Sequence, residues 1–186
     1  MNVPLITPEL VCLDADLGST KAEVITSVAG IIAAAGRADA DGLAHDALDR
    51  EAQSPTGMPG GFAIPHCRSA AVSQPSLGFA RLSPAVDFNG PDGPADLVFM
   101  IAAAEGAGAD HMKLLTKLAR ALVKPEFVEQ LRQAADARTV VDLIESVVEP
   151  DAAAPSSAAV SPASAAPDPA VQAPAVPSQA AGTEAD

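Results

Sequence analysis

Hydrophobic positions follow two rhythms over the first 148 residues. Val24, Ile25, Val28, Ile31, Ile32 and Ala35 recur at helical spacing, beginning after Thr20 and Glu23, a capping-box pair, and stopping at Gly36. A second helical run, Leu43, Ala44, Ala47 and Leu48, takes Asp41 as its expected cap and ends before the Ser54-Pro55 turn, leaving Arg50 and Glu51 in its last turn. Asp110 is expected to cap a third helix with Leu115, Leu118, Ala119 and Leu122 on its apolar face. Pro125 starts a fourth through Val128 and Leu131, and Thr139 opens a last one with Val140, Leu143, Ile144 and Val147.

Between these runs the period shortens. Leu77, Phe79 and Arg81 alternate as a half-buried strand, whereas Leu97 to Ile101 is apolar without a break, as expected of a strand covered on both faces. Residues 57–61 are rich in Gly and Pro and predict a loop. Phe62 to Ile64 is short and extended, because Pro65 pushes its predecessor out of the helical region, so a loop is expected to deliver His66. Helices flanking a small mixed sheet of about five strands are the economical packing, which makes the predicted fold class α/β.

Composition narrows the partners. The 186 residues carry a formal charge of -13, with 11 Lys and Arg against 24 Asp and Glu, and no basic stripe exists to neutralise phosphates, so nucleic acid is excluded as a partner. Hydrophobic residues make up 48%, too many for a disordered chain, yet they are too scattered for membrane insertion. The N-terminal ten residues have no basic start and no apolar run, so no secretory signal is read, and two cysteines, Cys12 and Cys67, fit a reducing cytoplasm.

The composition breaks at Glu149. Residues 149–186 hold 14 Ala, 7 Pro, 5 Ser and five acids with no Lys, Arg or aromatic, which cannot build a core. They read as a disordered linker or tail, with a reach of roughly 100 Å if fully extended in polyproline geometry. Residues 1–148 form the expected single domain, which keeps all 11 bases and all five Phe. Such a linker suggests a module of a longer polypeptide.

No P-loop, GxGxxG, HExxH, GxSxG or CxxC occurs, which leaves three histidines, two cysteines and a few arginines. His66 follows Gly60-Gly61-Phe62-Ala63-Ile64-Pro65, where the proline stiffens the backbone and the glycines admit a close neighbour. That setting suits a nucleophilic imidazole presented to a large partner. Taken singly, the plainer reading of a histidine ending a strand weighs more. His111 sits where a helix start favours anions and a neutral imidazole, suited to donating to a phosphoryl group, or is simply a surface residue. Arg50 offers a planar fork for phosphate oxygens, or is an ordinary partner of a helix C-terminus. His45 and Asp49 read as a solvated pair.

Taken together, Arg50-Glu51, Ser54-Pro55-Thr56-Gly57, Gly61-Phe62-Ala63-Ile64-Pro65-His66, Val86-Asp87-Phe88, Leu97-Val98-Phe99-Met100-Ile101 and His111-Met112-Lys113-Leu114-Leu115 form an ordered string. It resembles the enzyme IIA domain of the fructose/mannitol class of the bacterial phosphoenolpyruvate-dependent sugar phosphotransferase system, over about residues 3–148. The resemblance implies a phosphotransferase component working without cofactor or metal. In it His66 takes a phosphoryl group from phospho-HPr and passes it to a cysteine of a IIB domain, for uptake of a sugar, with fructose the guess from the class. His111 and Arg50 are then the supporting residues. It also implies helices around a mixed five-stranded sheet.

Two positions depart from the family's usual pattern. Cys67 stands where Ala or Gly follows the active histidine, and Met112 where Leu follows the second. A zinc site at His66, Cys67 and His111 is discounted, since adjacent ligands chelate poorly and no fourth ligand is suggested. Met58, Phe62 and Ile64 are expected to form an accessible apolar rim around His66 for a transient contact. Two other readings stand beside the sugar carrier: a regulatory IIA protein of the nitrogen-related branch, and a non-catalytic interaction domain that kept the fold.

Overall fold

The computed structural model describes residues 4–106 and 109–148, with backbone alone for residues 109–111. Residues 149–186, read above as a linker, lie outside the described residues.

Helix α1 (Lys21–Ala34) starts at the expected capping box: the Thr20 hydroxyl accepts the Glu23 N–H at 3.3 Å and the Glu23 carboxylate accepts the Thr20 N–H at 3.0 Å. Helix α2 (Ala40–Gln53) is capped by Asp39 rather than by Asp41. The Asp39 side chain accepts the Gly42 N–H at 2.9 Å while its own N–H donates to Ala71 O at 2.8 Å, so a tertiary bond selects the earlier of two suitable residues. Arg50 does lie in the last turn. Helix α3 (Ala109–Leu122) begins one residue before Asp110, which is therefore inside the helix rather than its cap. Helix α4 (Pro125–Gln133) opens on its proline as expected. Helix α5 (Ala137–Val148) starts before Thr139, whose N–H and hydroxyl both donate to Asp136 Oδ1, at 2.7 and 2.9 Å.

Six strands are present among the described residues: β1 (Val11–Ala15), β2 (Gly57–Met58), β3 (Phe62–Ala63), β4 (His66–Ser69), β5 (Ser76–Val86) and β6 (Ala95–Ala104). The sheet is mixed. β6 is its spine, antiparallel to β5 on one edge and parallel to both β3 and β4 on the other; β1 runs parallel to β5, and β2 closes a hairpin with β3. β3 and β4 are one line interrupted by Ile64-Pro65, and the register on β6 does not slip across the break: Ala63 pairs with Val98 and His66 with Ile101. Proline contributes no N–H to the ladder, but its carbonyl accepts the Ile101 N–H at 2.9 Å. His66 is therefore the first residue of a strand and not part of a loop. The loop reading of residues 57–61 holds for the turn at 59–61 and is corrected for Gly57 and Met58, which pair with Ala63 and Phe62.

β5 is buried on both faces from Ser76 to Ala80, not half-buried. Gly78 makes room for α1: a Cβ there would lie 2.8 Å from Val28 Cγ1 and 3.2 Å from Ile32 Cδ1. Side chains alternate across a sheet, and paired neighbours share a face. Gly78, Met100 and Cys67 thus point toward α1 and α2, while Phe79, Phe99, Phe62, Ile101 and His66 point the other way. Phe99 meets Phe79 edge-on at a centroid distance of 5.1 Å and Phe62 at 6.3 Å, which fills that second face.

Candidate functional site

The burial of β4 shows its pleat directly. His66 is half-buried, Cys67 buried, Arg68 exposed and Ser69 buried. His66 and Arg68 share one face. Nδ1 of His66 lies 2.9 Å from the carbonyl oxygen of Ile64, two residues back across the Pro65 break. A carbonyl only accepts, so Nδ1 carries the proton, and in the neutral ring the lone pair belongs to Nε2. The tautomer follows from that bond.

The peptide that orients the ring is itself fixed. Ile64 N–H donates to Thr56 O at 3.1 Å. Thr56 is held by Glu51, whose Oε1 accepts the Thr56 N–H at 3.0 Å and whose Oε2 accepts the Thr56 hydroxyl at 2.6 Å. Glu51 is only 2% exposed, and Lys21 Nζ donates to its Oε1 at 3.4 Å. Gly57 N–H donates to Phe88 O at 3.2 Å, and a Cβ on Gly57 would come within 2.5 Å of that oxygen. The Thr-Gly and Val-Asp-Phe segments are therefore two walls of one tight backbone contact behind the histidine. Lys21 and Glu51 were not assigned a role by sequence reasoning. The available signal was an acid five residues before a threonine in a Ser-Pro-Thr-Gly turn, which is not diagnostic alone.

Arg50 emerges at the C-terminus of α2, where Nη1 donates to Ser54 O at 3.3 Å. It lines a cavity of about 410 Å³ together with Cys67 and Arg68, the two residues after His66, and with Asp46, Asp49 and Glu105. Arg50 thus meets the strand that His66 opens, beside Cys67 and Arg68, although His66 itself is not among the residues lining that cavity; Arg68 was not foreseen. His111 falls in the first turn of α3, but its side chain lies outside the described ones. His45 and Asp49 form the expected exposed pair at 3.3 Å.

The expected accessible rim is corrected. Phe62 and Ile64 are 5% and 7% exposed because both belong to the core, and only Met58 is open, at 40%. Met58 and one edge of Phe62 instead border an apolar groove of about 850 Å³ whose far wall is Leu122 of α3 and Val128 of α4. Cys67 faces α2. Burial, reinforced by the negative charge of Asp46, pushes its thiol up to about 12, so it is a protonated core residue rather than a rival nucleophile.

A family model described as "Phosphoenolpyruvate-dependent sugar phosphotransferase system, EIIA 2" matches residues 4–147. The chain is 38% identical over 151 residues to the PTS system fructose-specific EIIA component of Haloferax volcanii, an alignment covering 80% of this chain and 97% of that protein. It is 39% identical over 126 residues to the PTS system fructose-specific EIIABC component of Bacillus subtilis, covering 67% of this chain and 20% of the longer protein. Among solved structures, the nitrogen regulatory protein IIA-Ntr of Neisseria meningitidis superposes with a TM-score of 0.70 at 26% identity, over 75% of this chain and 96% of that one. No helix among the described residues is long and apolar enough to cross a membrane. With the match running from the first strand through the last helix, the chain belongs to the EIIA type 2 family of the sugar phosphotransferase system, a family of phosphocarriers.

Proposed function

We propose that His66 is the phosphoryl acceptor of a fructose-type phosphocarrier, charged by phospho-HPr and discharged to a cysteine of a IIB domain in the cytoplasm. The observation that carries this reading is the Nδ1 to Ile64 O hydrogen bond, which leaves Nε2 as the attacking nitrogen. In the first transfer the Nε2 lone pair forms a bond to phosphorus as the phosphorus–nitrogen bond to the HPr imidazole breaks. The leaving imidazole recovers its electron pair. The phosphorylated ring keeps its Nδ1 proton against the Ile64 carbonyl, which favours the positive charge the ring develops. In the second transfer a IIB thiolate attacks phosphorus, and the bond to Nε2 breaks with its electrons returning to nitrogen.

Both transfers are in-line displacements that demand positioning and charge stabilisation. Arg50 supplies a guanidinium for the equatorial oxygens, and His111, at the start of a helix, supplies a donor where backbone N–H groups also favour an anion. The Ala/Pro-rich segment from residue 149 serves as a tether that raises the local concentration of a IIB partner, as the fused arrangement of the Bacillus subtilis relative suggests.

The likeness to the Neisseria meningitidis nitrogen regulatory protein supports a second reading, in which the same phosphohistidine gates binding to other proteins. One experiment tests the first reading and separates the two. The protein is incubated with phosphoenolpyruvate, enzyme I and HPr, its acid-labile phosphate is mapped by mass spectrometry, and a IIB domain is then added. Label on His66 that moves to IIB supports the carrier; label on His66 that does not move supports the regulator. A His66→Ala protein that still gains the phosphate refutes the site.

A further inference from the structure

Glu51 stands beside Arg50 in sequence but points inward, and its carboxylate accepts three donors: the Thr56 N–H, the Thr56 hydroxyl and Lys21 Nζ. Burying a carboxylate is costly, and a site keeps one only when its partners compensate for the lost water. These partners lead somewhere specific. Thr56 O holds the Ile64 N–H, and Ile64 O holds the His66 ring. The last turn of α2, which carries Arg50, is thereby tied to the residue that orients the imidazole.

The tie crosses an otherwise weak point. Pro65 cannot donate a backbone hydrogen bond, so the ladder on β6 is interrupted where the ring needs its reference. Without Glu51, the 54–57 turn is left to the long bonds between Arg50 and Ser54, the Ile64 N–H on Thr56 O, the Gly57 N–H on Phe88 O and the short β2–β3 pairing, none of which reaches the Thr56 side chain. Lys21 anchors the other side, donating also to Asn89 Oδ1 at 2.8 Å.

We infer that Glu51 and Thr56 are positioning residues for the phosphoryl acceptor: they hold the Ile64 carbonyl where it selects the Nδ1–H tautomer of His66, and they fix Arg50 relative to that ring. The inference rests on the assignment of His66 as acceptor, but its central readout needs no phosphate. A ring that samples both tautomers presents the wrong nitrogen part of the time, and a carbonyl displaced by even an ångström loses the alignment that in-line transfer requires.

The test uses the full chain with ¹⁵N-labelled histidine and three variants. Thr56→Val removes the hydroxyl bond to Oε2 and keeps the side-chain shape; Thr56→Ser restores the hydroxyl; Glu51→Gln removes the charge. Expected results are wild-type ring shifts of a single Nδ1–H tautomer, a mixed tautomer in Thr56→Val, and a fall of up to about a hundredfold in the rate of labelling by phospho-HPr, the loss expected when a reacting group is misplaced by about an ångström. Thr56→Ser regains both. Should Glu51→Gln not fold, Thr56→Val still decides the matter. Variants that lose melting temperature yet keep wild-type ring shifts and labelling rate overturn the inference and leave the function intact. A wild-type protein that shows the Nδ1–H tautomer but takes no phosphate on His66 refutes the carrier reading instead, while the tautomer shift in Thr56→Val still supports the positioning network.

Discussion

Arg132 in the last turn of α4 grips Asp96 near the start of β6 with two parallel hydrogen bonds, Nε to Oδ2 at 2.7 Å and Nη2 to Oδ1 at 2.8 Å. The same Nη2 donates to Gly60 O at 2.7 Å, in the turn between β2 and β3. One guanidinium therefore fixes α4 against the hairpin that precedes His66 and sets the width of the apolar groove between them. Replacing Arg132 by Met strands a carboxylate and a carbonyl and is expected to cost about 2 kcal/mol in chemical denaturation. Arg132→Lys regains little, because an ammonium cannot make the fork. Equal stability of the Lys variant and the wild type would contradict this account.

Arg81 performs a similar task on the other side of α4. Its Nη1 caps the helix end at Leu131 O, Arg132 O and Ala134 O, 3.2, 2.8 and 2.9 Å away, while Nε and Nη2 each reach the Asp14 carboxylate at 2.7 Å. The hydrogen bond from Arg81 holds the Asp14 carboxyl below its ordinary value. The folded state thus releases this proton more readily than the unfolded one, so the contribution is complete above the ordinary carboxylate range and fades as pH falls through it. Asp14→Asn is expected to flatten the acid limb of a melting-temperature profile below about pH 4. An unchanged acid limb would remove the pair from the account.

How much of this was readable beforehand depends on how local each cause is. The α1 capping box involves residues three apart and was legible. The α2 cap was not, because Asp39 and Asp41 are equally good locally and the choice is made by Ala71 across the fold. β4 escaped for a related reason. Its inward residues are Cys67 and Ser69, small and polar enough that no apolar alternation marks the strand, and only pairing with Ile101 to Ala104 reveals it. The string of short segments did point to His66, yet without showing that Glu51, Thr56 and Phe88 belong to one support behind it.

Gly57 shows how narrow that support is. A methyl group there would sit 2.5 Å from both Gly90 N and Phe88 O, and backbone cannot swing aside as a flexible side chain does. Gly57→Ala is expected to cost about 2 kcal/mol and to slow labelling of His66, because the displaced residue adjoins Thr56 and pairs with Ala63. Denaturation and labelling measured together check it. A fully stable variant with unaltered labelling would show that the contact relaxes freely.

Arg50 is expected to matter for transfer and little for folding. Its bond to Ser54 O is long, at 3.3 Å, and its side chain borders an open cavity. Arg50→Gln should leave the melting temperature within a few degrees while lowering the rate of phosphoryl acceptance by about 100- to 1,000-fold, the range seen when one charge-stabilising donor is lost. Loss of stability with normal transfer would reverse the assignment to a helix-capping role.

Cys67 is adjacent to the proposed nucleophile in sequence yet faces the opposite side of the sheet, toward α2. Burial is the main reason its thiol is pushed up to about 12 from 9.0, with Asp46 adding to it. At pH 8 the thiolate share is then about one in ten thousand, so alkylation of the native protein should be slower than that of the unfolded chain by roughly three orders of magnitude. The sign for stability is the reverse of that for Asp14: the folded state holds this proton longer, so the contribution is complete below pH 9 and is lost as pH rises from there toward about 12. Cys67→Ala should accordingly flatten the alkaline limb. It should also leave phosphorylation of His66 intact, because the residue removed contacts the helix layer behind the sheet and not the face that carries the imidazole. A Cys67→Ala protein that folds but takes no phosphate would mean that the thiol contributes to transfer despite its orientation.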